Sequence, residues 1–187
     1  MELNRAVAYQ HLLWKEQLKT AKVVVDATCG NGNDSLYLLK NGQEGIHLFA
    51  MDIQEEAIRR SKVLLEQEGL SEGVTFLQVS HEEGLAELVE ELDLVVFNLG
   101  YLPKSDHRMM TEVETTISAI QVASEKLSVG GIITIIAYPG TEKGKKEKEA
   151  LEMFLHAIPQ KEFHCWRTEP MNQVNEPPIL YVVQKRA

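Results

Sequence analysis

"VVVDATCGNGNDSLYLL", Val23 to Leu39, is the stretch whose reading decides the fold. A β-branched run stops at Asp26, turns through Gly30 and Gly32, and resumes as a helix over Asp34–Lys40. Val23–Val25 is continuously apolar rather than alternating, as is Ile132–Ile136, the pattern of strands covered on both faces. Working outward, strand-like and helix-like runs alternate. A first helix over about Asn4 to Leu18 precedes a strand at Lys22–Ala27. Strand Ile46–Met51 leads to helix Glu55–Gly69, and strand Val74–Val79 to a short helix near Glu83–Glu90. Strand Leu92–Asn98 is followed by a turn-rich loop and a helix over about Glu112 to Lys126. Strand Gly131–Ala137 and helix Lys145–Ile158 complete the alternation. It calls for parallel strands joined by crossover helices on both faces. Two last runs, Glu162–Arg167 and Ile179–Gln184, are joined by "TEPMNQVNEPP" with no helix between them, so they form a hairpin and one runs antiparallel. The expectation is an α/β, doubly wound, seven-stranded, mostly parallel sheet in a single domain over residues 1–187, without internal repeats.

The length of 187 residues suits one full-sized core, and 44% hydrophobic with 25% charged residues is ordinary globular composition. No apolar run approaches the roughly 20 residues of a membrane span. The opening "MELNRAVAYQHLLWKEQL" is charged throughout and has no signal-peptide apolar block, so a cytoplasmic protein is expected. Cys29 and Cys165 lack metal-ligand spacing, and no metal is expected. A net charge of −9 argues against a nucleic-acid-coating protein but leaves local RNA contact open.

In a doubly wound sheet, ligands bind beyond the carboxyl ends of the strands, beside the first strand. "DATCGNGND" falls there. Gly30 and Gly32 let the backbone turn tightly and approach a ligand, and the following helix aims free N–H groups at it. Asp52, 22 residues after Gly30, ends the second strand in "FAMDIQ", where a carboxylate can accept both hydroxyls of a ribose. Ser35 stands where a dinucleotide fingerprint wants glycine or alanine. Asp26 is ill-placed for a pyrophosphate but suits an ammonium. S-adenosylmethionine carries a ribose, an ammonium and no phosphate, so it fits both acids. Thr28, Asn31, Asn33, Asp34 and Ile53 complete the expected cofactor contacts. Each residue has a plainer reading as well: a tight turn for the glycines and asparagines, a helix N-cap for Asp52, a turn-capping acid for Asp26. Cys29 reads as a small buried filler. At the third strand's end, Ser80 and His81 in "VSHEEG" lie where adenine is expected; His81 either meets the ring or is a structural histidine.

The order D-x-x-x-G-x-G, then Asp52, then an Asn-containing loop after the fourth strand resembles the class I S-adenosylmethionine-dependent methyltransferases, with their Rossmann-like sheet and terminal hairpin. More narrowly, "DATCGNGNDSLYLL", "AMDIQ", "FNLGYLPKSDH" and "YPGTEKG" resemble a small bacterial family long labelled rRNA-methylase-like. That resemblance implies methylation of the 5-aminomethyl group of 2-thiouridine at the tRNA wobble position, with the anticodon stem-loop as partner. Amine methyltransferases commonly carry an Asn–Pro–Pro–aromatic loop here; "NLGY" is similar, with Leu99 and Gly100 replacing the prolines. An attacking amine must aim its lone pair at the methyl carbon while its N–H bonds are held elsewhere. Asn98 Oδ1 and the Leu99 carbonyl are candidate acceptors, and Tyr101 a platform for a base.

An alkyl ammonium has no lone pair until it loses a proton, and Asp106, His107 or water can take it. Asp106 reads equally as a helix cap. Tyr138 in "YPG" either walls the target pocket or belongs to a turn. Lys143, Lys145, Lys146 and Lys148, with Lys104, Arg108 and Arg167, form either an RNA-contacting patch or a solvated helix start laced with Glu147 and Glu149. A small-molecule amine methyltransferase and an rRNA methyltransferase remain as rivals. A nicotinamide oxidoreductase is disfavoured by Ser35 and the Asn98 loop, and a non-catalytic binding module by the intact target-side loop. The apolar residues of the first helix (Val7, Leu12, Leu13, Trp14) cover either the sheet edge or a partner chain, which leaves a homodimer open.

Overall fold

The computed structural model describes residues 6–99 and 113–187. The helices are α1 (Ala6–Gln17), α2 (Asn33–Asn41), α3 (Glu55–Gln67), α4 (His81–Glu87), α5 (Val113–Lys126) and α6 (Glu142–Ala157). The strands are β1 (Val23–Asp26), β2 (His47–Met51), β3 (Val74–Leu77), β4 (Leu92–Asn98), β5 (Leu127–Ala137), β6 (Phe163–Thr168) and β7 (Ile179–Lys185). They form one sheet in the order β3-β2-β1-β4-β5-β7-β6. β1 through β5 run parallel to one another, and β7 runs against both β5 and β6. The expected seven strands and terminal hairpin are therefore present, with β7 as the reversed strand. Strand order reverses between β1 and β4, and that switch point opens a crevice at the strands' carboxyl ends.

Successive strand residues alternate between two apolar layers. Val24, Leu48, Leu94, Ile132 and Val182 pack under Trp14 of α1, Leu38 of α2 and Ile58 of α3. Val25, Phe49, Val95, Ile133 and Val183 pack under Leu85 of α4, Ala119 and Ile120 of α5, and Leu151 of α6. This double coverage explains the unbroken apolar reading of β1 and β5.

α1 lies across the face of the sheet near β4, β5 and β7 rather than along its edge. Its rotation is fixed by a polar contact inside the apolar layer. Gln10 Nε2 and Trp14 Nε1, one turn apart, both donate to Thr134 Oγ1 on β5, at 3.1 and 2.9 Å. Trp14 is fully buried, whereas Leu12 and Leu13 are exposed.

Three boundaries differ from expectation for local reasons. α4 begins at His81, not Glu83, because Ser80 caps it: its Oγ accepts from Glu83 N (3.3 Å) and donates to the Glu83 carboxylate (3.0 Å). β5 starts at Leu127, ahead of the two glycines, because Gly130 takes a left-handed φ of +82° and the strand continues past a register shift against β4. α6 begins at Glu142 because Thr141 Oγ1 accepts from Gly144 N at 3.0 Å.

Candidate active site

β1 ends on Asp26, whose side chain is 1% exposed and sits beneath the glycine turn. Its Oδ2 accepts from Ser35 Oγ (2.6 Å) and its Oδ1 from Thr28 N (3.3 Å). Ser35, which the dinucleotide fingerprint would have as glycine or alanine, is thus the hydroxyl that satisfies a buried acid. Burial, then the charge of Asp34, raises the Asp26 pKa to about 7 against these two hydrogen bonds. A native acid that holds its proton above the unfolded value of about 3.9 loses stability as pH rises from there through 7. His81 is pushed the other way by burial, but its contribution cancels between variants. Asp26→Asn should therefore gain stability relative to the parent as pH goes from 5 to 8, read from urea midpoints. A gap that does not change with pH would contradict the assignment.

The turn itself is built from close approaches. Gly30 has φ +49° and Gly32 φ +82°, and Gly32 N donates to Cys29 O at 2.7 Å. Ser61 Oγ on α3 donates to Gly30 O at 3.1 Å. Asn31 Oδ1 accepts from Arg60 Nη1 (3.2 Å), tying the turn to α3, and Asn33 is exposed at the start of α2. Cys29 is buried and its thiol pKa is raised by desolvation, consistent with filler.

Asp52 follows β2. Its Oδ2 accepts from Gly30 N (3.0 Å) and its Oδ1 from Gln54 N (2.9 Å), so the carboxylate spans the turn and the entry to α3. Burial raises its pKa, with those backbone donors opposing. Each oxygen keeps a further lone pair, so a vicinal diol can still be accepted. Ile53 beside it leaves an apolar side chain 49% exposed. Beyond β3, Ser80 is occupied as the α4 cap, and His81 is buried edge-on to Phe97, with Nε2 unpartnered among the described residues.

β4 brings in the facing side. Asn98 N donates to Thr28 Oγ1 (2.7 Å) and Leu99 N to Ile136 O (2.9 Å), which locks the strand end against the turn and β5. Asn98 Nδ2 donates to Asp34 Oδ2 on α2. Asn98 Oδ1 is buried with no hydrogen-bond partner among the described residues. Tyr138, after β5, is 41% exposed, and its phenol pKa is raised by burial and then by the Asp34 charge.

One strand-end edge therefore gathers Asp26, Thr28, Gly30, Gly32, Asp34, Asp52, Asn98 and Tyr138. Asn31 turns to Arg60, and Tyr101, Lys104, Asp106, His107 and Arg108 lie outside the described residues. Two lysines of the run, and Arg167, are ion-paired. Lys145 Nζ meets Glu142 (3.4 Å) and Glu176 (3.3 Å), Lys148 meets Glu152 (3.0 Å), and Arg167 meets Glu152 (2.9 Å) and Glu169 (3.0 Å). Two contributors had escaped the sequence reading. Ser61 carries no motif, and His11 on α1 approaches Asp34 only through the packing of α1 on the sheet. Among the described residues, no helix is long and apolar enough to cross a membrane.

A doubly wound sheet with a reversed seventh strand, a glycine turn flanked by strand-tip carboxylates, and an asparagine ending β4 define a class I S-adenosylmethionine-dependent methyltransferase. Within that class, the chain belongs to the family described as "Putative rRNA methylase", which residues 48–184 match. It is 33% identical to an Arabidopsis thaliana protein named "tRNA (mnm(5)s(2)U34)-methyltransferase, chloroplastic", over 97% of this chain and 70% of that protein. A Clostridium thermocellum protein bearing the family's description superposes with a TM-score of 0.95 at 39% identity, over 99% of this chain and 100% of that one. A Streptococcus mutans protein solved in complex with SAH superposes at 0.88 with 32% identity, over 98% of this chain and 99% of that one.

Proposed function

We propose that this chain transfers a methyl group from S-adenosylmethionine to the primary amine of 5-aminomethyl-2-thiouridine at the tRNA wobble position. The observation that carries the reading is the Asn98 side chain. Its amide nitrogen donates to Asp34, while its oxygen, at the end of β4, is buried and has no partner among the described residues. A buried acceptor without a donor is costly, and an N–H of an incoming amine relieves it.

The residues also fit the cofactor. S-adenosylmethionine supplies an electrophilic methyl on a cationic sulfonium when bound. Asp52 would accept the ribose hydroxyls, the apolar Ile53 side chain would lie against adenine, and the tight turn at Gly30–Gly32 would present its backbone to the ligand. The negative field of Asp34 and Asp52 suits the sulfonium and ammonium charges. Asn98 Oδ1 and the Leu99 carbonyl would hold the target's N–H bonds, so that its lone pair points at the methyl carbon. The substrate itself follows the Arabidopsis relative's name.

A small-molecule amine is the second reading. It is favoured by the pairing of Lys145, Lys148 and Arg167 with glutamates, which weakens the case for a phosphate-binding patch. Nucleoside mass spectrometry of tRNA treated with the protein and S-adenosylmethionine separates the two. The proposal expects aminomethyl-thiouridine to become its methylaminomethyl form. Unchanged wobble nucleosides alongside methylation of free amines would replace it with the second reading.

A further inference from the structure

An alkyl ammonium is mostly protonated at neutral pH, since primary amines of this kind titrate near 10, as lysine does. The function proposed above therefore needs a proton acceptor within reach of the amine. Among the described residues, the group in place is Asp34. Its Oδ2 holds the Asn98 amide, so the carboxylate lies one amide group away from the unpartnered Asn98 Oδ1. Its Oδ1 lies 3.7 Å from His11 Nε2, a buried ring nitrogen without a hydrogen-bond partner among the described residues. The ring is held firmly in place. It stacks on Tyr37 at 3.8 Å between centroids and 18° between planes, lies 5.0 Å from Trp14, and its backbone carbonyl accepts from Tyr37 Oη at 3.3 Å. A histidine placed there only for packing would not need its nitrogen turned to a carboxylate.

We propose that Asp34 accepts the proton that the substrate ammonium must lose, and that His11, acting through Asp34, receives it next on Nε2, the partly exposed ring then releasing a proton to solvent. The inference rests on the amine reading above. In the step, one N–H bond of the ammonium breaks and its electron pair stays on nitrogen as the attacking lone pair. The proton goes to an Asp34 oxygen and then to the lone pair of His11 Nε2. The second Asp34 oxygen keeps the Asn98 amide oriented throughout, so one carboxylate both aims the acceptor and removes the proton. Asp34 is then the catalytic residue and His11 a positioning residue. The other titratable groups facing the pair are Asp26 from β1, Tyr138 after β5 and Tyr37 on α2. Asp26 sits beneath the turn, already occupied by Ser35 and Thr28, and Tyr138 reaches Asp34 only through its charge.

The test is the pH dependence of kcat/KM on an aminomethyl-thiouridine anticodon stem-loop, comparing the parent with His11→Phe and His11→Gln. Phenylalanine keeps the stack on Tyr37 and Trp14 while removing the nitrogen, and glutamine keeps a polar group without a basic one. Affinity for S-adenosylhomocysteine within about twofold of the parent serves as the check on folding and on the cofactor half of the site. Both variants should lose at least about tenfold in kcat/KM at pH 7, within the usual range for acid–base assistance. Their rates should climb with pH toward the amine's own ionisation, so that the deficit shrinks to under about threefold near pH 9.5. The parent should reach its plateau at lower pH. Superimposable pH profiles, or a deficit that stays constant across pH, would overturn the relay while leaving the methyltransferase reading standing; the acceptor would then be Asp106, His107 or water. If the parent itself fails to methylate the aminomethyl substrate, the amine reading falls and the relay falls with it.

Discussion

Gly32→Ala is expected to lower folding stability by about 2–5 kcal/mol and S-adenosylmethionine affinity by more than about tenfold. Two costs add at this residue. Its φ of +82° lies in the left-handed region, where an L side chain costs roughly 1–2 kcal/mol. A Cβ there would stand 2.9 Å from Ser61 Cα, the backbone of α3 rather than a side chain that can swing aside, and overpacking of this kind costs roughly 1–3 kcal/mol. For a chain of this size the melting temperature should fall by about 5–15 °C. The affinity loss follows from the same displacement. Ser61 Oγ holds the Gly30 carbonyl and Asp52 holds the Gly30 N–H, so moving α3 moves the turn and the carboxylate together. Gly45→Ala provides the comparison: it has nearly the same φ, +80°, with nothing within 4 Å of an added Cβ. It should pay the conformational cost alone and leave cofactor affinity intact. Equal stability losses at the two positions would refute the close approach of α3 as the reason for glycine at 32.

The contrast also shows which parts of the site the sequence could reveal. Gly30, Gly32, Asp26 and Asp52 were legible because strand ends and turn residues carry local signals. An apolar run stops, a glycine allows φ above zero, an acid stands at the tip, and the sheet's topology brings the tips together. The capping pattern at Ser80–Glu83 was equally local, yet it was read as a strand end. "VSHEEG" serves both as the end of β3 and as the start of α4, and only Ser80's bond from Glu83 N decides between them. The partners of the site residues were not legible at all. Ser35 looked like a departure from a glycine fingerprint until its hydroxyl was seen on Asp26. Asn31 carried no sign in sequence that its oxygen accepts from Arg60 of α3. His11 reaches Asp34 only because Gln10 and Trp14, its neighbours on α1, hang from Thr134 on β5, more than a hundred residues away in sequence. No spacing rule encodes a contact set by three elements packed on one face.

The second large effect tests the proposed division of the site into a half that holds the cofactor and a half that aims the target. Asn98→Ala should reduce kcat by about 10²–10³-fold, the range observed when one preorganised polar contact to a reacting group is removed. The S-adenosylmethionine dissociation constant should stay within about threefold. The reason for expecting so clean a split is that the backbone around Asn98 does not depend on its side chain. The Asn98 N–H bond to Thr28 Oγ1 and the Leu99 N–H bond to Ile136 O both survive truncation, so the strand end and the turn stay where they are. What disappears is the buried oxygen proposed to accept from the amine, together with the donor to Asp34. Asp52→Ala should show the reverse. Hydrogen bonds to a charged group are worth roughly 1.5–3 kcal/mol each, and the ribose and Gly30 N–H would both lose theirs. Cofactor affinity should fall at least about tenfold, while kcat at saturating cofactor changes far less. Calorimetry for binding and single-turnover rates for chemistry measure the two separately. Comparable affinity losses in both variants would mean that Asn98 serves the cofactor rather than the amine, and the buried oxygen at the end of β4, without a partner among the described residues, would need another explanation.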